Sequence, residues 1–346
     1  MTPLSTAAQG LSFRDKLFAS RETKQLVKTI EEGIAEVEEG LLAELRFTDS
    51  VADARARYLM EAGGKRIRPM LAVLTAQLGS GINDEVVTAA RSVEITHIGS
   101  LYHDDVMDEA PLRRGVPAAH KVFGNSAAIL TGDLLFARAS SLMSTLGERA
   151  IVLQAATFER LCVGQLHETV GPQEGDDPVA HYIQVLGDKT SSLIVAAARA
   201  GVIYSDADEA YEQPVTVFAE KVGVAFQLAD DVIDLSPASE TGKKAGTDLR
   251  AGVPTMPTLL LAKLAETDAA AADLHRRLSE AVESDAPDDV FEQLVTELYE
   301  HPVTAETKAL AHQWADEAVA ALAPLPEGAV KHALTLFAEH MVNRSA

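Results

Sequence analysis

An all-helical fold is what the sequence predicts, on three observations. Apolar residues recur at helical spacing along many segments, Gly and Pro punctuate the chain sparsely, and convincing strands are few. The stretch "KQLVKTIEEGIAEVEEGLLAEL" lines up Leu26, Ile30, Ile34, Val37 and Leu41 in one stripe, with acidic residues elsewhere. "DEVVTAARSVEITHIGSLYHDD" keeps helical spacing with Gly99 as its one breaker, and Asp84 is placed to cap its start. "SSLIVAAARAGVIY" has the apolarity of a strand, but its alanines favour a buried helix. "DADEAYEQPVTVFAEKVGVAFQLADDVIDL" predicts a long helix that Pro214 starts or kinks. "VKHALTLFAEHMVNR" closes the chain as a short amphipathic helix. The polar stretch "SPASETGKKAGTDLRAGVPT" is the conspicuous gap, and loops of that length are often functional. No composition break marks a linker. The expected organisation is a flexible N-terminal tail over 1–20 and a single all-helical domain over 21–346.

The chain has 346 residues, 47% of them hydrophobic, which is ample for a large core. A net charge of −22 argues against nucleic-acid binding, because phosphate backbones need Lys and Arg. The single cysteine, Cys162, excludes a disulfide framework within one chain and fits a reducing compartment. The first residues carry early charges and no continuous apolar core, and no window reaches the length of a membrane span. These features predict a cytoplasmic protein with no stable membrane insertion.

Chemistry concentrates in two acidic echoes. "DDVMD" at 104–108 returns as "DDVID" at 230–234, each after an apolar helical run. Residues four apart share a helix face, so Asp104 projects with Asp108 and Asp230 with Asp234, flanked by Asp105 and Asp231. Like charges at that spacing repel unless a cation sits between them. Hard oxygen ligands select hard cations, and Mg²⁺ commonly combines one or two carboxylates with substrate phosphate. Basic groups stand nearby. In "GGKRIRP", Gly63 and Gly64 permit close backbone approach, and Lys65, Arg66 and Arg68 offer charge-assisted bonds to an anion. His97 lies two helical turns before Asp104 on the same face, placed to donate to a diphosphate oxygen, whereas His103 points elsewhere. Arg113 and Arg114 are adjacent and so serve two anions more readily than one. "TGKKAGTD" is a weaker phosphate signal that does not match a P-loop.

The set "GGKRIRP", "HIGSLYHDDVMDEAPLRRG", "GDLLFARA", "KTSSL", "FQLADDVIDL" and "GKKAGTDLRAG", in that order, resembles the all-trans polyprenyl diphosphate synthases, head-to-tail prenyltransferases. The resemblance implies an isoprenoid-synthase-type bundle of about ten or more helices around a central cavity. It implies that Asp104, Asp105, Asp108, Asp230, Asp231 and Asp234 hold several Mg²⁺ ions that bridge the allylic diphosphate. Arg113, Lys189 and Lys243 would contact that diphosphate, with Lys244 competing for the role of Lys243. Lys65, Arg68, His97 and Arg114 would bind isopentenyl diphosphate. Thr190 and Gln227 would stabilise the developing allylic cation, so that Lys189, Thr190, Gln227, Asp104 and Asp230 form the expected catalytic set. A homodimer is implied, with a helper subunit as a variant. One departure stands out: many relatives carry a lysine after the glycine of "DLRAG", where this chain has Val253.

In the same family, bulky residues four and five positions before the first aspartate block the product tunnel. Here those positions are Gly99 and Ser100, with Thr96 and Ser92 continuing the stripe. The expectation is therefore a long product, beyond C20, of the kind that becomes a quinone side chain. The alternative is a geranylgeranyl- or farnesyl-length product. Phe136, Leu142 and Met143 are the candidates for the tunnel floor.

Overall fold

The structure, a computed structural model, describes residues 21–237, 245–284 and 286–343. The tail expected over 1–20 and both lysines of the "GKK" stretch lie outside the described residues. Helices follow one another from α1 (Arg21–Glu44) through α2 (Ser50–Glu61), α3 (Ile67–Ala76) and α4 (Asp84–Met107). A hairpin of β1 (Leu112–Arg113) and β2 (Val116–Pro117) leads to α5 (Ala119–Phe123), α6 (Asn125–Thr145) and α7 (Glu148–Val170). Then come α8 (Pro178–Val185), a π-helical turn at Leu186–Ser191, α9 (Ser192–Tyr204) and α10 (Glu212–Leu235). The short α11 (Thr247–Arg250), α12 (Met256–Ala265), α13 (Ala269–Glu283), α14 (Asp288–Glu300), α15 (Pro302–Ala321) and α16 (Ala329–Val342) complete the series. Among the described residues the hairpin is the whole of the β-structure, so the all-α class stands.

Local chemistry sets the ends. Asn83, rather than the expected Asp84, caps α4, its Oδ1 accepting from the Val86 N–H at 2.9 Å. Asp84 is instead the first helical residue, where its charge meets the positive end of the helix dipole. Pro214 lies in the first turn of α10, so it starts that helix. "SSLIVAAARAGVIY" is helical, as its alanines require.

The chain divides into two compact units. The first comprises the described residues of Met1–Glu159, Leu193–Thr216 and Leu322–Leu336; the second comprises those of Arg160–Ser192, Val217–Ala321 and Phe337–Ala346. In the first unit α4 is buried on nearly every face, through Val86, Ile95, Ile98 and Tyr102. Such a helix belongs at the centre of a bundle, where each fully buried large side chain contributes about 1.5–3 kcal/mol. It crosses α6 closely because both helices have glycine at the contact. A Cβ on Gly132 would collide with the His103 ring and lie 3.0 Å from the Gly99 carbonyl oxygen. In the second unit Leu261, Leu274, Phe291 and Leu298 join α12, α13 and α14, while Val224, Leu228 and Ala311 join α10 to α15. Among the described residues no helix is long and apolar enough to cross a membrane.

Candidate active site

The first aspartate triplet ends α4. Asp104 and Asp105 are helical and Asp108 is the C-cap, its N–H donating to the Asp104 carbonyl at 2.8 Å. The turn therefore keeps Asp104 and Asp108 on one face, half-buried and exposed respectively. Asp105 is fully buried. Its Oδ1 accepts from Arg113 Nε at 2.6 Å, and its Oδ2 has no protein partner. His103 faces α6: its Nε2 is 3.0 Å from the Ile129 carbonyl oxygen and its ring stands edge-on to Phe136.

Arg113 follows a different path from Arg114, and the hairpin is the reason. Arg114 and Gly115 form its two-residue turn with φ of +53° and +79°, the twist that a tight hairpin demands. Arg113 is left pointing to Asp105. The Arg114 guanidinium donates to the Leu59 carbonyl at 2.8 Å and to the Gly63 carbonyl. Gly64 thus makes room for arginine heads, since a Cβ there would crowd Arg66 and Arg114. Arg66 is not a ligand-facing cation. It is 7% exposed, holds a left-handed conformation (φ +50°), and donates to Glu38 at 3.0 Å and to Glu94 at 3.1 Å.

Glu94 is the residue that the motif reading missed. It is 2% exposed, and it favours the charged forms of both Arg68 and Arg114. Burial, opposed by Glu94, lowers the Arg68 guanidinium below its usual range, and its Nε has no partner. Burial first, then the neighbouring arginines, brings Arg114 down to about 10. Burial and then Arg68, Arg114, Arg113 and Arg66 hold His97 well below the ordinary histidine range, so it is a neutral imidazole. Arg68, His97, Arg113 and Arg114 are therefore brought together within electrostatic reach, in a setting that favours an incoming anion. Lys65 is exposed at the edge of α3.

In the second unit Lys189 and Thr190 sit in the π-helical turn, both half-buried. Lys189 Nζ is paired with Glu168. One extra residue in a helical turn re-aims the side chains that follow, and such turns cluster at functional sites. Gln227 is half-buried on α10. The second triplet closes α10, and two of its members hold backbone. Asp231 accepts from Tyr182 Oη at 3.0 Å and from the Met256 N–H at 2.8 Å. Asp234 accepts from the Thr247 N–H at 3.1 Å and the Asp248 N–H at 3.2 Å. Burial is the main cause that pushes Asp231 up to about 8, with Asp248 and Asp230 adding to it; burial likewise raises Asp234.

The stripe of small residues on α4 has definite partners in the first unit. A Cβ on Gly99 would lie 3.1 Å from Phe136 Cε1, so Gly99 serves the crossing with α6. Ser92 Oγ donates to the Ala139 carbonyl at 2.9 Å. Thr96 Oγ1 accepts from Gln154 Nε2 at 3.0 Å, and Ser100 Oγ donates to the His97 carbonyl at 2.9 Å. Phe136 is packed on Phe158 at 4.5 Å between ring centroids.

Both acidic turns suit a hard divalent cation. Their donors are carboxylate oxygens, one of them a buried orphan on Asp105, and carboxylates raised by burial gain most from a cation. Among the described residues no group of three or more His, Cys, Asp or Glu side chains stands close enough to hold an ion unaided.

Comparison with known proteins gives the following. The polyprenyl synthetase family model matches residues 49–298. The chain is 40% identical over 342 residues to nonaprenyl diphosphate synthase of Mycobacterium tuberculosis, spanning 98% of each. It is 32% identical, with a TM-score of 0.82, to the structure of a Caulobacter crescentus polyprenyl synthase complexed with calcium and isoprenyl diphosphate, over 93% of this chain and 98% of that one. Geranylgeranyl pyrophosphate synthase of Corynebacterium glutamicum, also complexed with calcium and isoprenyl diphosphate, is 36% identical with a TM-score of 0.81, over 94% and 98%.

Proposed function

We propose, because the chain belongs to the polyprenyl synthetase family, that it condenses isopentenyl diphosphate with an allylic diphosphate into a long all-trans polyprenyl diphosphate, beyond C20. The observation that carries this reading is the 40% identity, over 98% of both chains, to a nonaprenyl diphosphate synthase. The product suits a quinone side-chain precursor.

In this reading Lys65, Arg68, His97 and Arg114 hold isopentenyl diphosphate by charge-assisted bonds, with neutral His97 donating one N–H. Arg113, Lys189 and Lys243 hold the allylic diphosphate. Asp104, Asp105 and Asp108 with Asp230, Asp231 and Asp234 are the ligands of its Mg²⁺. The metal supplies charge neutralisation for the departing diphosphate. Thr190 and Gln227 present oxygen dipoles to the allylic cation, and the double bond of isopentenyl diphosphate attacks it. The proton lost in the last step goes to the released diphosphate. The apolar interior keeps water from the cation.

The two compact units act in this proposal as one catalytic domain over 21–346. The protein is placed in the cytoplasm, consistent with its single cysteine. A homodimer is proposed, with exposed Leu130 and Val152 as apolar surface available for it. A chain that extends its primer only after a second protein is added would require the helper version.

A C20 product is the second reading, favoured by the 36% identity to a geranylgeranyl pyrophosphate synthase. Purified protein with labelled isopentenyl diphosphate, several allylic primers and Mg²⁺ decides between them. Chromatography should show products longer than C20 and none after chelation. Products ending at C20 with isopentenyl diphosphate in excess establish the second reading, and no extension with any primer or partner refutes both.

A further inference from the structure

The π-helical turn at Leu186–Ser191 is clamped by groups that no motif reading singled out. Arg160, on α7, reaches three acceptors at once: Asp188 Oδ1 at 2.9 Å, the Gly187 carbonyl at 3.1 Å and Glu220 Oε1 at 2.7 Å. Asp188 is buried, and its second oxygen accepts from Gln184 at 2.7 Å. Two glycines bring the neighbouring helices against the turn. A Cβ on Gly164 would fall 2.5 Å from the Lys189 backbone nitrogen, and one on Gly223 would fall 2.8 Å from Ser191 Cα. The Arg160 bonds to Gly187 and Asp188 end on the two residues just before Lys189, its bond to Glu220 ties it to α10, and each glycine contact ends beside Thr190.

We propose that Arg160 is a positioning residue for the prenyl transfer. Through Asp188, the Gly187 carbonyl and Glu220, it fixes the turn that aims Lys189 and Thr190. This rests on the prenyltransferase reading for the roles of those two residues. The physical case is that a π-turn carries a surplus residue which helix propensity alone does not fix. A planar guanidinium with several donors locks such a turn in one register, which an ammonium on a flexible stem does not. Arg160 also neutralises a buried carboxylate adjacent to Lys189, leaving the Lys189 ammonium to Glu168 and to substrate.

The test uses full-length Arg160→Met, Arg160→Lys and the double variant Arg160→Met/Asp188→Asn. The double variant removes both charges and so leaves no unpaired buried carboxylate. Two measurements are made: hydrogen exchange of the 186–192 amides, and steady-state extension with each substrate varied. In Arg160→Met and in the double variant, exchange in 186–192 should speed up. Turnover should fall on the order of 100-fold, the cost of a misplacement of about 1 Å. The KM for isopentenyl diphosphate should stay unchanged. Arg160→Lys should recover part of the turnover. Unchanged exchange in 186–192 overturns the clamp. So does full recovery of turnover in the double variant, which reduces Arg160 to charge balance. A wild-type chain that makes no product while exchange responds as described sinks the proposed reaction and leaves the clamp standing.

Discussion

Glu94→Gln removes a buried negative charge that faces Arg66, Arg68 and Arg114 in the first unit. Glu94 Oε1 lies 3.1 Å from Arg66 Nη1. At an effective dielectric of about 20, that separation corresponds to an attraction of about 5 kcal/mol. Glutamine keeps an acceptor for Arg66 and avoids the burial of a carboxylate, which returns part of the loss. Arg68 and Arg114 lose the same counter-charge and remain buried. Breaking a buried ion pair costs about 3–5 kcal/mol, and the retained hydrogen bond puts this variant near the low end, about 3 kcal/mol. The thermal midpoint should drop by roughly 4 °C. Inorganic diphosphate should then stabilise the variant more than the wild type, because the anion takes over the missing charge. At a hundred times its Kd a ligand stabilises by about 2.7 kcal/mol, enough to bring the liganded variant close to the ligand-free wild type. Thermal unfolding followed by circular dichroism, with and without diphosphate, reads both effects. Equal midpoints without ligand, or equal gains with it, would refute the account of the cluster.

The other predictions follow the same logic. His97 is held neutral, so His97→Gln, a neutral donor, should keep the KM for isopentenyl diphosphate within a few-fold, whereas His97→Ala should raise it by about 10-fold; steady-state kinetics with that substrate varied distinguishes them. Asp231 titrates near 8 in the folded chain, above its unfolded value. Its contribution to stability is complete below the unfolded value and is lost as pH rises through 8. Urea unfolding at pH 6 and pH 9 in chelator should therefore show a smaller loss at high pH for Asp231→Asn than for wild type. Gly132→Ala must displace the His103 ring from its place against the Ile129 carbonyl, at a cost of about 1–3 kcal/mol measurable in the same urea assay.

Helix periodicity carried most of the fold. The stripes of α1 and α10 and the alanine-rich α9 are local patterns, and local patterns are what a sequence displays. The aspartate turns were legible because spacing and repetition do not depend on tertiary contacts. What escaped was long-range. Glu94 reads as one more acid in a chain with 52, and only its burial against Arg66 sets it apart. Arg66 looked like an anion ligand beside Lys65 and Arg68, yet its left-handed backbone and two carboxylate partners turn it inward. Gly99 was read as space for a growing chain, and its neighbours on α6, Phe136 first among them, could not be seen from the sequence. The π-turn left no trace in hydropathy, though Gly164 and Gly223, isolated in helical runs, were the available signal. "RRG" between two short extended segments was likewise a hairpin signal hidden by the dominance of helix.

The bonds that Asp231 and Asp234 make to the backbone at 256 and at 247–248 have an evolutionary consequence. A side chain one methylene longer keeps its charge but overshoots those N–H groups. The second acidic turn should thus accept glutamate less readily than the exposed Asp108, whose carboxylate has no such anchoring duty. Backbone anchoring thus opposes the longer acid at Asp231 and Asp234 and places no such demand on Asp108.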